Sequence, residues 1–295
     1  MLQLVGHDGT VHALTFSHDG QTLFSAGKDG TVRLWDVVSR RERAQLCAHV
    51  GDVYSMSLHG DGRVLASGGR DCAVYLWNVA TAERIGLLPK QISSVTGLAW
   101  LPQRPVMAVT CGERMLPDRP GELMLWQMDA KNHEAKSLLL NGHGYWSLAA
   151  GAGPTIAFSD GARRVSVWPL AKQQPATFQL NHTCLRVALA WDGSELAAAV
   201  EREIRVWDVN RRHPIATLQG HKGLVTALAY SPNCRILASG GRDKTVCFWS
   251  KGSNLELLQS FQWPTGAVTA LAFSSDGLMA AAAGDNGTIV LWDVD

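Results

Sequence analysis

The phrase DGTVRLWD at 29–36 returns as NGTIVLWD at 286–293, more than 250 residues later. Between these two copies the closing tryptophan recurs as Trp35, Trp77, Trp126, Trp168, Trp207, Trp249 and Trp292, in steps of 42, 49, 42, 39, 42 and 43 residues. A fixed period of this length means an array of similar units, each packed on its neighbours, and no other feature of the chain restricts its fold so strongly. A second marker keeps the same register. His7 to Trp35, His49 to Trp77 and His221 to Trp249 are each 28 residues.

Every unit has the same internal grammar. In 221–249, VTALAY is a short apolar run suited to a strand packed on both faces, SPN is a turn, RILASGG a second strand, RDKT a tight turn and VCFW a third strand. A more polar fourth run follows, as in RRERAQLC at 40–47 and RHPIATLQ at 212–219. Four short strands with turns about every ten residues read as antiparallel sheet, and no segment has the 3.6-residue period of an amphipathic helix.

These motifs resemble those of the WD-repeat family, and the resemblance covers all 295 residues. It implies an all-β fold, a seven-bladed β-propeller of four-stranded antiparallel blades around a central channel, with 1–295 forming a single propeller. The chain ends at VLWDVD, before a fourth strand for blade 7, whereas MLQLVG at the start matches ATLQG, the end of a fourth strand, before His221. Residues 1–5 are therefore expected to complete blade 7 and close the ring, hiding two strand edges. With no linker outside the ring, the sequence fits either a minimal propeller or a domain of a longer protein.

By the same resemblance a His, a Ser, an Asp and the Trp of one blade form a hydrogen-bonded chain. The complete sets are His7, Ser25, Asp29, Trp35; His49, Ser67, Asp71, Trp77; and His221, Ser239, Asp243, Trp249. A buried indole N–H needs an acceptor, and a carboxylate beside an imidazole fixes its tautomer. A catalytic Ser-His-Asp reading fails because the set occurs three times within blades, where one exposed nucleophile with an oxyanion hole is required. Blade 7 departs from the pattern with Pro264, Ala282 and Asn286. Blade 5 has Glu201 at the Asp position, and blades 3 and 4 show no clean Asp at the usual spacing.

No other chemistry is legible. His12, His18, His59, His133 and His213 lie outside the repeat position and have no metal-ligand spacing, and there is no phosphate-binding glycine loop. Asp19-Gly20, Asp61-Gly62, Asp192-Gly193 and Asp276-Gly277 recur at one place and read as hairpin turns. Cys47, Cys72, Cys111, Cys184, Cys234 and Cys247 lack CxxC pairing and read as reduced thiols of a cytoplasmic protein. No catalytic, metal or cofactor site, no cofactor and no small-molecule substrate is expected. There is no apolar run long enough to span a membrane and no signal peptide. Net charge is +1, from 27 Lys+Arg and 26 Asp+Glu, which argues against a nucleic-acid partner.

The expectation that remains is a non-catalytic scaffold presenting loops to a protein or peptide. Its alternatives are a regulatory module of a larger protein and, behind that, an enzyme with its site at the channel. The candidate contacts lie on the face that carries the Gly-His turns, here called the top. Lys28, Arg70 and Arg242 precede the turn Asp in blades 1, 2 and 6, where solvated turn cations are the plainer reading. Blade 3 is longer, and its middle turn GERMLPDRPG, 112–121, carries Arg114, Met115, Leu116 and Arg119; a tolerated insertion is the plainer reading. Trp146 stands where blade 4 begins, either as an anchor at the channel mouth or in the core. Cations and apolar groups together on the rim of blades 1 to 3 suit an acidic peptide with an apolar anchor.

Overall fold

The computed structural model describes residues 2–102, 104–113, 120–128, 133–141, 143–251 and 255–294. The loop residues Arg114, Met115, Leu116 and Arg119 lie outside this set.

The described strands form seven four-stranded antiparallel sheets, six of them built from four strands consecutive in sequence. The seventh is composite. Its order is Leu2–Val5, Thr288–Asp293, Met279–Gly284, Val268–Phe273, so the N-terminal strand is its outer edge. Pairing runs from Leu2 opposite Leu291 to Val5 opposite Thr288. Leu4 is buried with Val11, Leu23 and Trp35 of blade 1 and with Ile289 and Leu291 of blade 7. The two chain ends thus share one core.

Each second strand is buried on both faces, as in Thr22–Gly27 (TLFSAG), Glu195–Val200 (ELAAAV) and Met279–Gly284 (MAAAAG). A strand with neighbouring blades above and below cannot alternate polar and apolar residues. Small side chains let the blades approach. At Gly68 a β-carbon would come within 2.5 Å of Val95 Cγ1 on the next blade. Fourth strands carry the opposite pattern, as in Arg41–Cys47 (RERAQLC), which is mostly exposed. The Asp-Gly pairs occupy hairpin turns. Asp19 Oδ1 accepts from Gln21 N at 3.0 Å, and Gly20 takes φ 70°, a value that disfavours a side chain.

Every innermost strand carries a bulge one residue from its start. The extra residues are His12, Tyr54, Thr96, Trp146, Leu185, Thr226 and Thr269. His12, Tyr54, Thr96 and Thr269 among them line the upper end of the channel, and a bulge is a standard way to re-aim a side chain. Three of the threonines tie one blade to the next: Thr96 donates to Tyr145 O at 2.7 Å, Thr226 to Val268 O, and Thr269 to Val11 O at 2.5 Å.

Candidate functional site

The structure brings the three four-residue sets together. Trp35 Nε1–H donates to Ser25 Oγ at 2.7 Å, and the Ser25 hydroxyl lies 2.7 Å from His7 Nε2. His7 Nδ1 lies 2.9 Å from Asp29 Oδ2. A carboxylate can only accept, so Nδ1 carries the hydrogen, Nε2 accepts from Ser25, and the chain of donors runs one way from Trp to Asp. Blade 2 repeats it at 2.8, 2.8 and 3.0 Å, and blade 6 at 2.8, 2.8 and 3.0 Å. Each Asp also closes its turn. Asp29 accepts from Asp8 N and Thr31 N at 3.1 Å, and Asp243 from Lys222 N at 2.7 Å. Thr31 and Thr245 add hydroxyl donors at 2.8 and 2.7 Å, a fifth member the sequence reading did not include.

Burial holds the imidazoles of His7 and His49 below their ordinary value, against the pull of Asp29 and Asp71. Both are therefore neutral at pH 7. For Asp29 burial acts upward, but His7 and the Thr31 and Asp8 donors outweigh it and hold the carboxyl low. With Ser25, Ser67 and Ser239 wholly buried, these sets have no access to a substrate.

The other blades solve the same turn differently, and one sequence reading, Glu201 at the Asp position, needs correction. Blade 4 has no Asp at the usual spacing, but buried Asp160, two residues earlier, accepts from Ala162 N at 3.0 Å and pairs with Arg164 at 2.7 Å. Trp168 Nε1 donates to Lys172 O at 2.9 Å instead of to a serine. In blade 5 the strands end at Val200 and restart at Glu203, leaving a two-residue turn, so the Asp place is deleted and Glu201 takes that of Lys28. It pairs with His182 at 3.1 Å on the surface, both half-exposed. In blade 7 the Asn286 amide donates to Pro264 O at 2.6 Å.

On the top face Lys28, Arg70 and Arg242 are all exposed. The backbone bonds Lys28 N to Thr10 O, Arg70 N to Asp52 O and Arg242 N to Leu224 O define one equivalent place. The same bond puts Gly112, Gly161 and Asp285 there in blades 3, 4 and 7. The position is thus cationic in blades 1, 2 and 6, bare in 3 and 4, and acidic in 5 and 7. Lys28 and Arg70 lie on neighbouring blades, whereas Arg242 is separated from Lys28 by blade 7 and its Asp285. The stems of Lys28 and Arg70 lie over Gly9 and Gly51, with their heads toward solvent.

Two apolar side chains on this rim were missed in the sequence. Val50 is 80% exposed and Ile92 is 57% exposed, each one residue after the repeat-His place of its blade. The signal was available, since the same place holds Asp8 in blade 1 and Lys222 in blade 6. Lys90 is exposed beside Ile92. Trp146, by contrast, does not present an anchor. It is buried, as is Tyr145 beside it, because an indole gains more from packing than from facing an aqueous channel.

The channel mouth also holds more chemistry than the sequence reading found. His12 Nε2 lies 3.1 Å from Asp52 Oδ2, and its ring meets Tyr54 edge-on at 5.3 Å. Arg186 projects from blade 5 into the channel, where Nη2 donates to His12 O of blade 1 at 3.4 Å. Bulged strand starts made these positions hard to align by spacing alone. Among the described residues, no group of three or more His, Cys, Asp or Glu side chains could hold a metal ion, and no helix is long and apolar enough to cross a membrane. All six cysteines are free thiols.

Comparison with known proteins agrees with this architecture. A solved structure titled "Structure of U3-55K" superposes with a TM-score of 0.88 at 20% identity, covering 99% of this chain and 98% of that one. The "Crystal structure of RRP9 WD40 repeats" gives 0.86 at 20% identity, covering 99% and 97%. Curated relatives match over short stretches. Human sperm-associated antigen 16 protein is 58% identical over 33 residues, 11% of this chain and 5% of that protein. Protein FIZZY-RELATED 1 of Arabidopsis thaliana is 27% identical over 120 residues, 39% of this chain and 24% of that protein. The chain therefore spans well under two thirds of the length of the curated relatives it matches. The model of the WD domain, G-beta repeat, matches residues 1–36, 40–78, 212–250 and 255–293, a little over half of the chain, and with seven blades closed by its own first strand this protein belongs to the WD40 repeat family.

Proposed function

We propose that this protein is a non-catalytic interaction scaffold that holds an acidic peptide segment on the top rim of blades 1 to 3. The family's propeller fold supports the broad role, and one observation carries the finer one. Exposed Lys28, Arg70 and Lys90 share the top rim of blades 1 to 3 with Val50 and Ile92, two aliphatic side chains left 80% and 57% in water. Exposed apolar groups rimmed by polar and charged side chains mark interaction surfaces. The cations steer an acidic segment, and the aliphatic pair receives an apolar side chain from it. The same reading accommodates a regulatory module of a larger protein. We place its action in the cytoplasm, in keeping with six cysteines that lack CxxC pairing.

The test compares two faces. Partners captured from lysate by the unaltered protein are identified by mass spectrometry. Capture is then repeated with Lys28→Glu/Arg70→Glu, with Val50→Asp/Ile92→Asp, and with the opposite-face changes Asp61→Lys and Trp191→Ser. The top-face variants lose partners and the opposite-face variants keep them. The reverse pattern overturns the assignment. Loss should also deepen at high salt, because rim charges are screened.

A further inference from the structure

One step past each bulge, the innermost strands place Ala13, Ser55, Gly97, Ser147, Arg186, Ala227 and Ala270. Six are among the smallest side chains and one is among the largest. The six clear a cavity of about 180 Å³ in the upper channel, lined by residues of all seven blades. Arg186 is half-buried in it. Its Nε donates to Thr226 O at 3.2 Å and its Nη2 to His12 O at 3.4 Å, so the guanidinium bridges blades 5, 6 and 1. None of the residues lining the cavity is an Asp or Glu. Asp52 sits at the mouth, 3.1 Å from His12 Nε2.

We propose that this cavity is a socket for one carboxylate side chain, a Glu or Asp of the peptide lying on the rim, with Arg186 as its anchor. The inference rests on the top-face reading above and names the chemistry at its centre. Arg186 Nε and Nη2 both turn to backbone carbonyls, and a carboxylate is a stronger acceptor for a planar donor fork. Low-dielectric walls focus the field of a charge placed between them. The volume falls below that of a typical small-molecule site, so it takes one side chain and not a length of backbone. Leu14, Leu148, Leu228 and Leu271 offer the methylenes of that side chain an apolar wall, while His12 and Tyr54 flank the mouth.

Two measurements test it. In the unaltered protein, N-acetyl-glutamate amide, N-acetyl-glutamine amide and inorganic phosphate are titrated while the Arg186 Nε–H resonance is followed by NMR. The glutamate compound shifts it and the glutamine compound does not. Equal shifts, or a response to phosphate alone, overturn the socket. The second measurement uses two acetylated, amidated hexapeptide libraries, one with glutamate fixed at the third position and the other with glutamine. The protein retains the glutamate library about tenfold more strongly or better, as a charge-assisted hydrogen-bonded pair allows. Arg186→Met removes that preference, and Arg186→Lys keeps part of it, with melting temperature showing that both variants fold. If Arg186→Met keeps the full preference while Lys28→Glu/Arg70→Glu abolishes binding, the socket fails and the rim reading stands. If neither variant changes retention, both fail.

Discussion

Blades 6 and 7 are neighbours with the same strand pattern and opposite polar interiors. Blade 6 joins Trp249, Ser239, His221 and Asp243 in one chain of hydrogen bonds. Blade 7 has Trp292, Ala282, Pro264 and Asn286 in those places. Its tryptophan instead packs edge-on against Trp263 at 4.0 Å, and its turn is closed by Asn286 on Pro264 O and by Asp285 Oδ1, which accepts from Ala267 N at 2.9 Å. Both blades form, with the same register between their second and third strands. The apolar alternation and the small second strand therefore specify the blade. The polar chain specifies how tightly its top turns are held.

The strongest way to break this comparison is to remove what blade 7 has in place of a network. Its outer strand, Leu2–Val5, comes from the far end of the chain and buries Leu4 against blades 1 and 7. Deleting residues 1–5 uncovers the edge of Thr288–Asp293 and loses at least the burial of one leucine, about 1.5–3 kcal/mol, besides four residues of pairing. The truncated protein should melt well below the full chain and associate through the bared edge, read by calorimetry and light scattering. A monomer with an unchanged melting temperature would mean that the N-terminal strand does not close the ring.

A smaller effect separates the two blades directly. Asp243→Ala leaves the His221 Nδ1–H, the Lys222 and Thr245 amides and the Thr245 hydroxyl without their common acceptor. Buried donors left unmet cost on the order of 1–3 kcal/mol. Asp71→Ala should behave alike, because Asp71 accepts from His49, Val50 N and Ala73 N. Asn286→Ala removes one exposed bond to Pro264 O and one from Thr288 N, and should cost less. Denaturant midpoints of the three variants decide it. Equal shifts at Asp243 and Asn286 would show that the network adds nothing beyond an ordinary turn.

The same contrast explains what was legible in the sequence. Period, strand number and ring closure follow from Trp spacing and from the match between MLQLVG and ATLQG, because each unit must repeat the same contacts. The three complete sets were legible for the same reason. The substitutes were not. Asp160 acts four residues from Arg164 within one blade, off the repeat spacing, and Glu201 was misplaced because a turn had lost a residue. The channel residues His12, Tyr54 and Arg186 sit at or beside bulges, where counting two residues per pleat fails. Trp146 was ambiguous because a bulged aromatic can face either way, and the structure buries it.

Acid sharpens the comparison without a mutation. His7 and His49 have folded-state values below the ordinary 6.5, chiefly through burial. A depressed value means that the unfolded chain binds more protons than the folded one near and below pH 6.5. Stability from these groups is complete above that pH and is lost as the pH falls through the folded values. Asp29 and Asp243, held below 3.8, act in the same direction at lower pH. The melting temperature should therefore fall as pH drops from 7 toward 5. Hydrogen exchange of the Trp35 and Trp77 indoles, which donate into the histidine chains, should quicken in the same range relative to a free indole at the same pH. The Trp168 indole donates to a backbone carbonyl and should change little. Uniform acceleration at all three indoles would assign the acid effect to global unfolding.

The smallest effect tests the comparison in the opposite direction, by adding a missing member. Among the described residues, Trp126 Nε1 in blade 3 is buried without a hydrogen-bond partner. Trp126 faces Met107 across its strand pair as Trp35 faces Leu23, so Val109 occupies the place of Ser25. Val109 is fully buried. Threonine matches the shape of valine and places a hydroxyl within reach of the indole. Val109→Thr exchanges buried methyl surface for a hydroxyl, which costs stability unless the hydroxyl is satisfied. Here it would satisfy the indole as well, so the two terms oppose each other. The same exchange at Val167, on the third strand of blade 4, offers no unpaired indole and serves as the reference. Val109→Thr should fall within about 1 kcal/mol of the parent and above the Val167→Thr reference, with slowed exchange of the Trp126 indole. Equal losses at the two sites would mean that the serine place in blade 3 does not address its tryptophan as it does in blades 1, 2 and 6.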